Sequence, residues 1–403
     1  MRRLVLLGAV GVLAACYDPS PPPRQAQQAQ KAPAMARVAP LASGQATAVA
    51  ASSAPVLAVD TSVPGFTSAP AASPPASSAP VAAADAANAP PLAQAINQAG
   101  PPAARRSAPA RGWTAKGVDP TLLKAEVLLD RAGFSPGVID GKDGQNLKQA
   151  VTAYAQAKGL PSVALDKAVW DSLAADTAPA AEGYVITAQD VAGPFIGVPP
   201  KDYQALAKLP ALSYSSPLQA LSEKFHMDQG LLKALNPSAD FAKAGTSIVV
   251  VIPRTAPRDF TVARIEVDKS SEALRAYDGS NHLVAYYPAS VGSTERPAPS
   301  GVFAVTAVAP HPAYYYDPKR LTFAPEGATG KLRIAPGPNN PVGETWIALT
   351  VPTYGIHGSP DPAAIGKHQS HGCVRLTNWD AKELGKAVKK GVKVEFVGQE
   401  KKA

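Results

Sequence analysis

The segment HGSPDPAAIGKHQSHGCVRLTN, residues 357–378, gathers three of the chain's six histidines and one of its two cysteines. Three kinds of chemistry use such residues. His357, His368, His371 and Cys373 would fill a zinc tetrahedron, but His371 and Cys373 stand two apart with no helical pattern, closer than paired zinc ligands usually sit. A surface loop marked by Gly358, Pro360, Pro362, Gly366 and Gly372 accounts for the backbone. A bland loop, however, rarely keeps a free thiol in an exported protein. The third reading is a cysteine nucleophile with a histidine base. A thiol of ordinary pKa, about 8.5, needs an imidazole or a positive dipole beside it to react near neutrality.

Export is written at the N-terminus. MRRLVLLGAVGVLAAC has a positive start at Arg2 and Arg3, then an apolar run too short to span a bilayer. It ends in small residues running into Cys16, which resembles the lipobox of bacterial lipoproteins. Residues 1–15 then read as a lipoprotein signal peptide, with Cys16 as the lipidation site. A plain secretory signal is the other reading. With the Cys16 sulfur occupied by lipid, Cys373 is left as a lone thiol in an oxidising compartment, a liability unless its chemistry is used. The net charge of +8 and pI near 9.3 suit an anionic neighbourhood of membrane or cell-wall phosphates. No aromatic-interleaved basic run points to nucleic acid.

Several elements must position the 357–378 residues. Thr377-Asn378-Trp379-Asp380 reads as a capping box opening a helix through Lys390, closed by Gly391. Its N-terminus lies a few residues after Cys373 and would favour negative charge there. Gly372 permits an unusual backbone angle, and the N–H groups around Gly372 and Cys373 would be able to donate to a developing oxyanion. Upstream, Ala263, Ile265 and Val267 alternate with Arg264, Glu266 and Asp268, the period of a half-buried strand. Residues 274–277 and 282–287 flank the turn Asp278-Gly279-Ser280-Asn281 as a hairpin. Further strands are expected at 302–308, 332–334, 345–349 and 392–397. Many short strands with Gly/Pro turns and one late helix predict a mostly β domain, a sandwich or barrel, over 259–398.

The preceding chain is of two kinds. Residues 16–117 are Ala/Pro/Ser/Gln mixtures without a core, expected to be a disordered tether. Where extended by proline, such a chain reaches about 3 Å per residue, which suits a protein working away from its anchor. Over 118–176, Leu122, Leu123, Val127 and Leu128 define one helix after Asp119-Pro120. Ala150, Val151, Tyr154 and Ala155 define a second after the turn Val138-Ile139-Asp140-Gly141, and a short third carries Trp170. This resembles the three-helix peptidoglycan-binding domain, with Tyr154-Ala155-Gln156 where that family has Phe-Gln. Residues 183–254 run as a strand near 184–187, an insertion, helices through Leu218, Leu221 and Phe225 and through Leu231, Leu232 and Leu235, Asn236-Pro237, and a strand from Ser247. That order resembles a divergent LysM module, an α+β unit.

The late segment resembles a family more specifically. Ser370-His371-Gly372-Cys373-Val374-Arg375, preceded by Ile356-His357-Gly358, is similar to the signature of the YkuD L,D-transpeptidases. Arg296-Pro297-Ala298-Pro299-Ser300-Gly301-Val302-Phe303 looks like that family's Thr-Pro-x-Gly-x-Phe region, with Ala298 in place of threonine. Pro336 to Gly343 looks like a loop of one branch. The resemblance implies that Cys373 attacks the L,D bond of a peptidoglycan stem tetrapeptide, forming a thioester that an amine resolves. It implies His357 as base and acid, Gly358 as the carbonyl that orients it, and His371 as a supporting residue. Gly372 and Cys373 would form the oxyanion site, with Arg375 and Ser370 as substrate contacts. His368 falls at no motif position, and Tyr314-Tyr315-Tyr316 is read as packing before groove. No metal and no cofactor is expected. The expected partners are stem peptides and glycan, with the membrane reached through Cys16, in the periplasm and on the outer membrane in preference to the inner. Water in place of the amine would make a carboxypeptidase or amidase, and a non-catalytic wall-binding lipoprotein is the third reading.

Overall fold

The computed structural model describes residues 89–102, 115–293, 296–317, 330–368 and 372–400. Helices stand where the apolar spacing of 118–176 predicts them. Ahead of them, α1 spans Pro91–Asn97. In α2, Pro120–Ala132, the Asp119 side chain accepts from the N–H groups of Thr121 and Leu122, and Gly133 at φ +85° ends the helix. α3 is Gln145–Ala157 and α4 is Lys167–Leu173, capped by Asp166. The expected tether to residue 117 needs correcting at its end. Ala93 and Ile96 of α1 are fully buried, and Asn97 binds the backbone of Ala180 and Ala181. Composition alone cannot reveal this helix, because tertiary burial of one short apolar face stabilises it.

Next comes a two-stranded antiparallel pair, β1 (Ala181–Val185) and β2 (Ser247–Val251). Between them run α5 (Tyr203–Leu206), α6 (Pro217–Lys224) and α7 (Gln229–Leu235). Asn236 fastens α7 to β2: its Nδ2 donates to Leu232 O and Val249 O, and its Oδ1 accepts from Val249 N–H.

The β-rich segment holds β3 (Arg264–Asp268), β4 (Ala273–Tyr277), β5 (Leu283–Pro288), β6 (Ser290–Val291), β7 (Gly301–Pro310), β8 (Tyr314–Tyr316), β9 (Leu332–Ile334), β10 (Thr345–Leu349), β11 (Gly355–His357), β12 (Val374–Arg375), α8 (Asn378–Ala387) and β13 (Lys393–Val397). Nine of these strands form one sheet, ordered β5-β4-β3-β13-β7-β10-β11-β12-β6. It curls into a nearly closed barrel, because the ten-residue β7 pairs with β13 at one end and β10 at the other. Ile265, Val267, Leu274, Val305, Ile347, Ile356, Val374 and Phe396 fill it, with Leu384 of α8 against them. Helix α8 ends at Ala387, short of the expected Lys390. Val388 turns to extended backbone to bury its side chain, and Gly391 at φ +93° then leads into β13.

The helical and β-rich segments share buried surface. Phe134 meets Tyr154 edge-to-face at 5.3 Å, and both pack with Ala273 and Tyr286 of the sheet. Among the described residues no helix is long and apolar enough to cross a membrane.

Candidate active site

Strand parity assembles the site. β11 and β12 are parallel neighbours, with Ile356 opposite Val374 and His357 opposite Arg375. Side chains alternate faces along a strand. Ile356 and Val374 therefore enter the barrel core, where both are fully buried, while His357 and Arg375 share the other face, and Cys373, just before β12, lies within electrostatic reach of Arg375. Trp346 of β10 stands opposite His357 and stacks on its ring, centroids 5.5 Å apart and 21° between planes.

His357 is 3% exposed, and its Nδ1 lies 2.7 Å from the Gly358 carbonyl oxygen. A carbonyl only accepts, so Nδ1 carries the proton and Nε2 keeps its lone pair. Burial chiefly, and then the charge of Arg375, push the ring down to about 3, against the pull of the Gly358 carbonyl. The imidazole is a neutral base at any ordinary pH.

Cys373 is partly exposed and unbridged. Burial of its sulfur raises the thiol above its usual value, opposed by the Gly355 backbone N–H and by the Arg375 charge. Burial is the largest influence on the Cys373 sulfur and favours the neutral thiol, beside a neutral imidazole. Gly372 sits at φ +128°, a conformation that L side chains rarely adopt, and its carbonyl accepts from the Tyr354 hydroxyl. Arg375 is depressed by burial and lies within electrostatic reach of Cys373, Tyr203, Tyr314 and Asp361.

The YkuD L,D-transpeptidase catalytic domain matches residues 262–396. A Bacillus subtilis strain 168 protein named as L,D-transpeptidase YkuD is 30% identical over 179 residues, 44% of this chain and 91% of its own length. The chain belongs to the YkuD L,D-transpeptidase family. The namesake from Bacillus licheniformis is 29% identical over 177 residues, again 91% of its length. A solved L,D-transpeptidase from Mycobacterium smegmatis aligns over 39% of this chain and 75% of its own, at 18% identity and a TM-score of 0.29.

Within this YkuD chain the structure brings together His357, Gly358, Gly372, Cys373 and Arg375. Ser370, His371 and Cys16 lie outside the described residues. His368 is exposed. Tyr316 is buried in the packing, Tyr315 is 69% exposed, and Tyr314 is half-buried beside Tyr203. Among the described residues no group of three or more His, Cys, Asp or Glu could hold a metal ion. A cavity of about 440 Å³ lies elsewhere, between α6 and α8, walled by Tyr214, Glu223, Arg254, Trp379 and Glu383. The sequence reading missed Tyr354, Tyr203 and Asn378 as neighbours of the site. Asn378 was visible only as part of a capping box, and Tyr203 arrives from the insertion between β1 and α6, where no local signal ties it to Arg375.

Proposed function

We propose that the chain is a cysteine-dependent L,D-transpeptidase acting on peptidoglycan stem tetrapeptides. The observation that carries this is the Nδ1–H of His357 held by the Gly358 carbonyl, which leaves Nε2 basic on the sheet face of Arg375, itself within electrostatic reach of Cys373. As Cys373 Sγ bonds to the carbonyl carbon of the L,D bond, its proton passes to His357 Nε2. The oxyanion is held by the N–H groups at Gly372 and Cys373. Collapse expels D-Ala, whose amine takes the proton from the imidazolium, and a thioester remains. An incoming amine gives its proton to His357 as it attacks, and the Cys373 sulfur leaves and recovers that proton. A neutral resting pair suits this sequence, since the base is needed only as the sulfur attacks. Arg375, a planar guanidinium on the same face, binds a substrate carboxylate.

The same reading places the enzyme in the periplasm, tethered through lipid at Cys16 to the outer membrane. Residues 16–88 serve as its reach, and the 118–176 and 183–254 segments as its wall-facing modules. Their resemblance to peptidoglycan-binding and LysM units supports that assignment. The test is mass spectrometry of the protein after exposure to a carbapenem and, separately, to disaccharide tetrapeptide with an amine acceptor. The expected result is an adduct on the peptide containing Cys373 and an amine-exchanged product. Release of tripeptide alone would identify a hydrolase, and no adduct at Cys373 would overturn the reading.

A further inference from the structure

The end of β11, with His357 and the Gly358 that follows it, is held from outside the barrel. Asn378, the first residue of α8, is buried at 1% exposure, and its side-chain amide lies between Gly358 and Gly343. A Cβ on either glycine would collide with the Asn378 Oδ1, so the approach demands glycine at both positions. The same Oδ1 accepts from the Glu344 N–H at 3.2 Å. On its other side Nδ2 donates to the Pro338 carbonyl at 3.2 Å and to both carboxyl oxygens of Glu223 at 3.0 and 3.3 Å. Glu223 belongs to α6, in the segment read as LysM-like, 155 residues away in sequence. A chain of contacts thus runs from α6 through Asn378 to Gly358, whose carbonyl fixes the His357 ring.

We infer that Glu223 is a positioning residue for His357, acting through Asn378 and Gly358, so that an accessory segment completes the base of the catalytic domain. The inference rests on the reading of His357 as the base. It is specific because, without Glu223, Nδ2 keeps only the Pro338 carbonyl as acceptor, so the amide packed against Gly358 is held less firmly. A neutral acceptor suffices for the task. Burial chiefly, and then Glu344, raise the Glu223 carboxyl to about 8, with Asn378 and Lys382 pulling it down. Tyr214, the other titratable group coupled to it, is itself raised by burial. Glutamine therefore satisfies Asn378 nearly as well.

The experiment compares Glu223→Ala, Glu223→Gln and Leu232→Ala in the full chain. Leu232 is fully buried in the same helical pair and takes no part in the Asn378 contacts. Three readouts are taken: Tm, the carbapenem acylation rate per folded molecule, and the ring nitrogen shifts of His357 by NMR of histidine-labelled protein. Glu223→Ala is expected to lower acylation between about 10- and 100-fold and to mix the ring tautomers, with Glu223→Gln restoring both. Leu232→Ala should lower Tm while leaving ring and rate alone. Should the alanine variant fold poorly, Glu223→Leu fills the space without an acceptor and must show the same ring change. An unchanged tautomer in the alanine or leucine variant overturns the inference, as does an equal change in Leu232→Ala. The ring measurement needs no turnover, so it stands apart from a failure of the transpeptidase reading, which Cys373→Ala reports.

Discussion

Two regions of this molecule bury titratable groups, and they do so to different ends. One is the seam between the helical segments and α8. There Asp130 accepts from the Arg254 N–H at 2.9 Å and lies 3.1 Å from His226 Nδ1, whose ring stacks on Trp379 at 4.7 Å. Arg254 and Arg258 both reach Glu383, at 2.8 and 3.0 Å, and Ser135 donates to Asp380 at 2.9 Å. The other region is the His357–Cys373–Arg375 face. Both displace pKa values strongly: burial pushes Asp380 well above the carboxylate range, and burial pushes His357 down to about 3. A displaced pKa therefore reports desolvation, not function. What separates the regions is where the lone pairs go. In the seam, Asp130 and Glu383 meet guanidinium and imidazole groups, and one Asp380 oxygen meets a hydroxyl while the other is buried without a partner. At the His357 face, one ring nitrogen is spent on a carbonyl and the other stays basic.

Mutation should separate the regions by what each loses. Cys373→Ala is expected to abolish covalent adduct and transfer altogether while leaving the Tm near that of the wild type, read by mass spectrometry and thermal melting. Any remaining turnover would move the chemistry off this face. His357→Gln removes the proposed base and should lower acylation by about 10² to 10⁴-fold, again with little loss of stability. Asp130→Ala should show the opposite profile. It leaves His226 and Arg254 without their buried partner, a change that costs about 3–5 kcal/mol in comparable buried pairs. Denaturant melts should show that loss, and acylation per folded molecule should be unchanged. If Asp130→Ala instead slowed acylation at constant stability, the seam would belong to the mechanism.

A smaller effect distinguishes Glu223, which sits where the regions meet. Its folded pKa of about 8 lies above the ordinary 4.5, so the folded chain holds the proton more tightly than the unfolded one. Stability is then fullest below the unfolded value and falls as the pH rises toward 8. Glu223→Gln cannot ionise, so its stability relative to wild type should grow between about pH 5 and 9. Equal pH dependence in the two proteins would place the carboxyl in a less buried, ordinary setting.

The sequence was most legible where a pattern is local and long enough to repeat. The alternation of Arg264, Ile265, Glu266 and Val267 appears as β3, and residues 332–334 and 345–349 are strands at the expected bounds. β11 and β12, three and two residues long, are too short for any period to register. Yet their parallel pairing is what sets His357 opposite Arg375, two residues after Cys373. The motif spacing named these two residues without showing why they meet. The Glu223–Asn378 contact was invisible for the same reason on a larger scale, since neither residue carries a local signal of a partner 155 positions away. Helix α8 was overextended because Lys389 and Lys390 continue a favourable helical composition, while burial of Val388 decides the end.

The subtlest difference between the two regions is the pH behaviour of the His357 ring. An ordinary imidazole titrates near 6.5, and a ring that paired with a thiolate would titrate higher still. His357 is displaced the other way, to about 3. A depressed histidine takes up its proton less readily when folded, so the folded state loses stability as the pH falls below 6.5 toward 3. Through neutrality the ring stays neutral. The acylation rate should therefore show no inflection near the ordinary histidine value, and should still be rising where a normal thiol has finished ionising, because burial raises Cys373. The His357 ring shifts should be flat between about pH 5 and 8. A His357 inflection near 6.5 would show a ring open to water, and one at higher pH would show a thiolate–imidazolium pair. Either would erase the difference in setting that separates the His357 face from the seam.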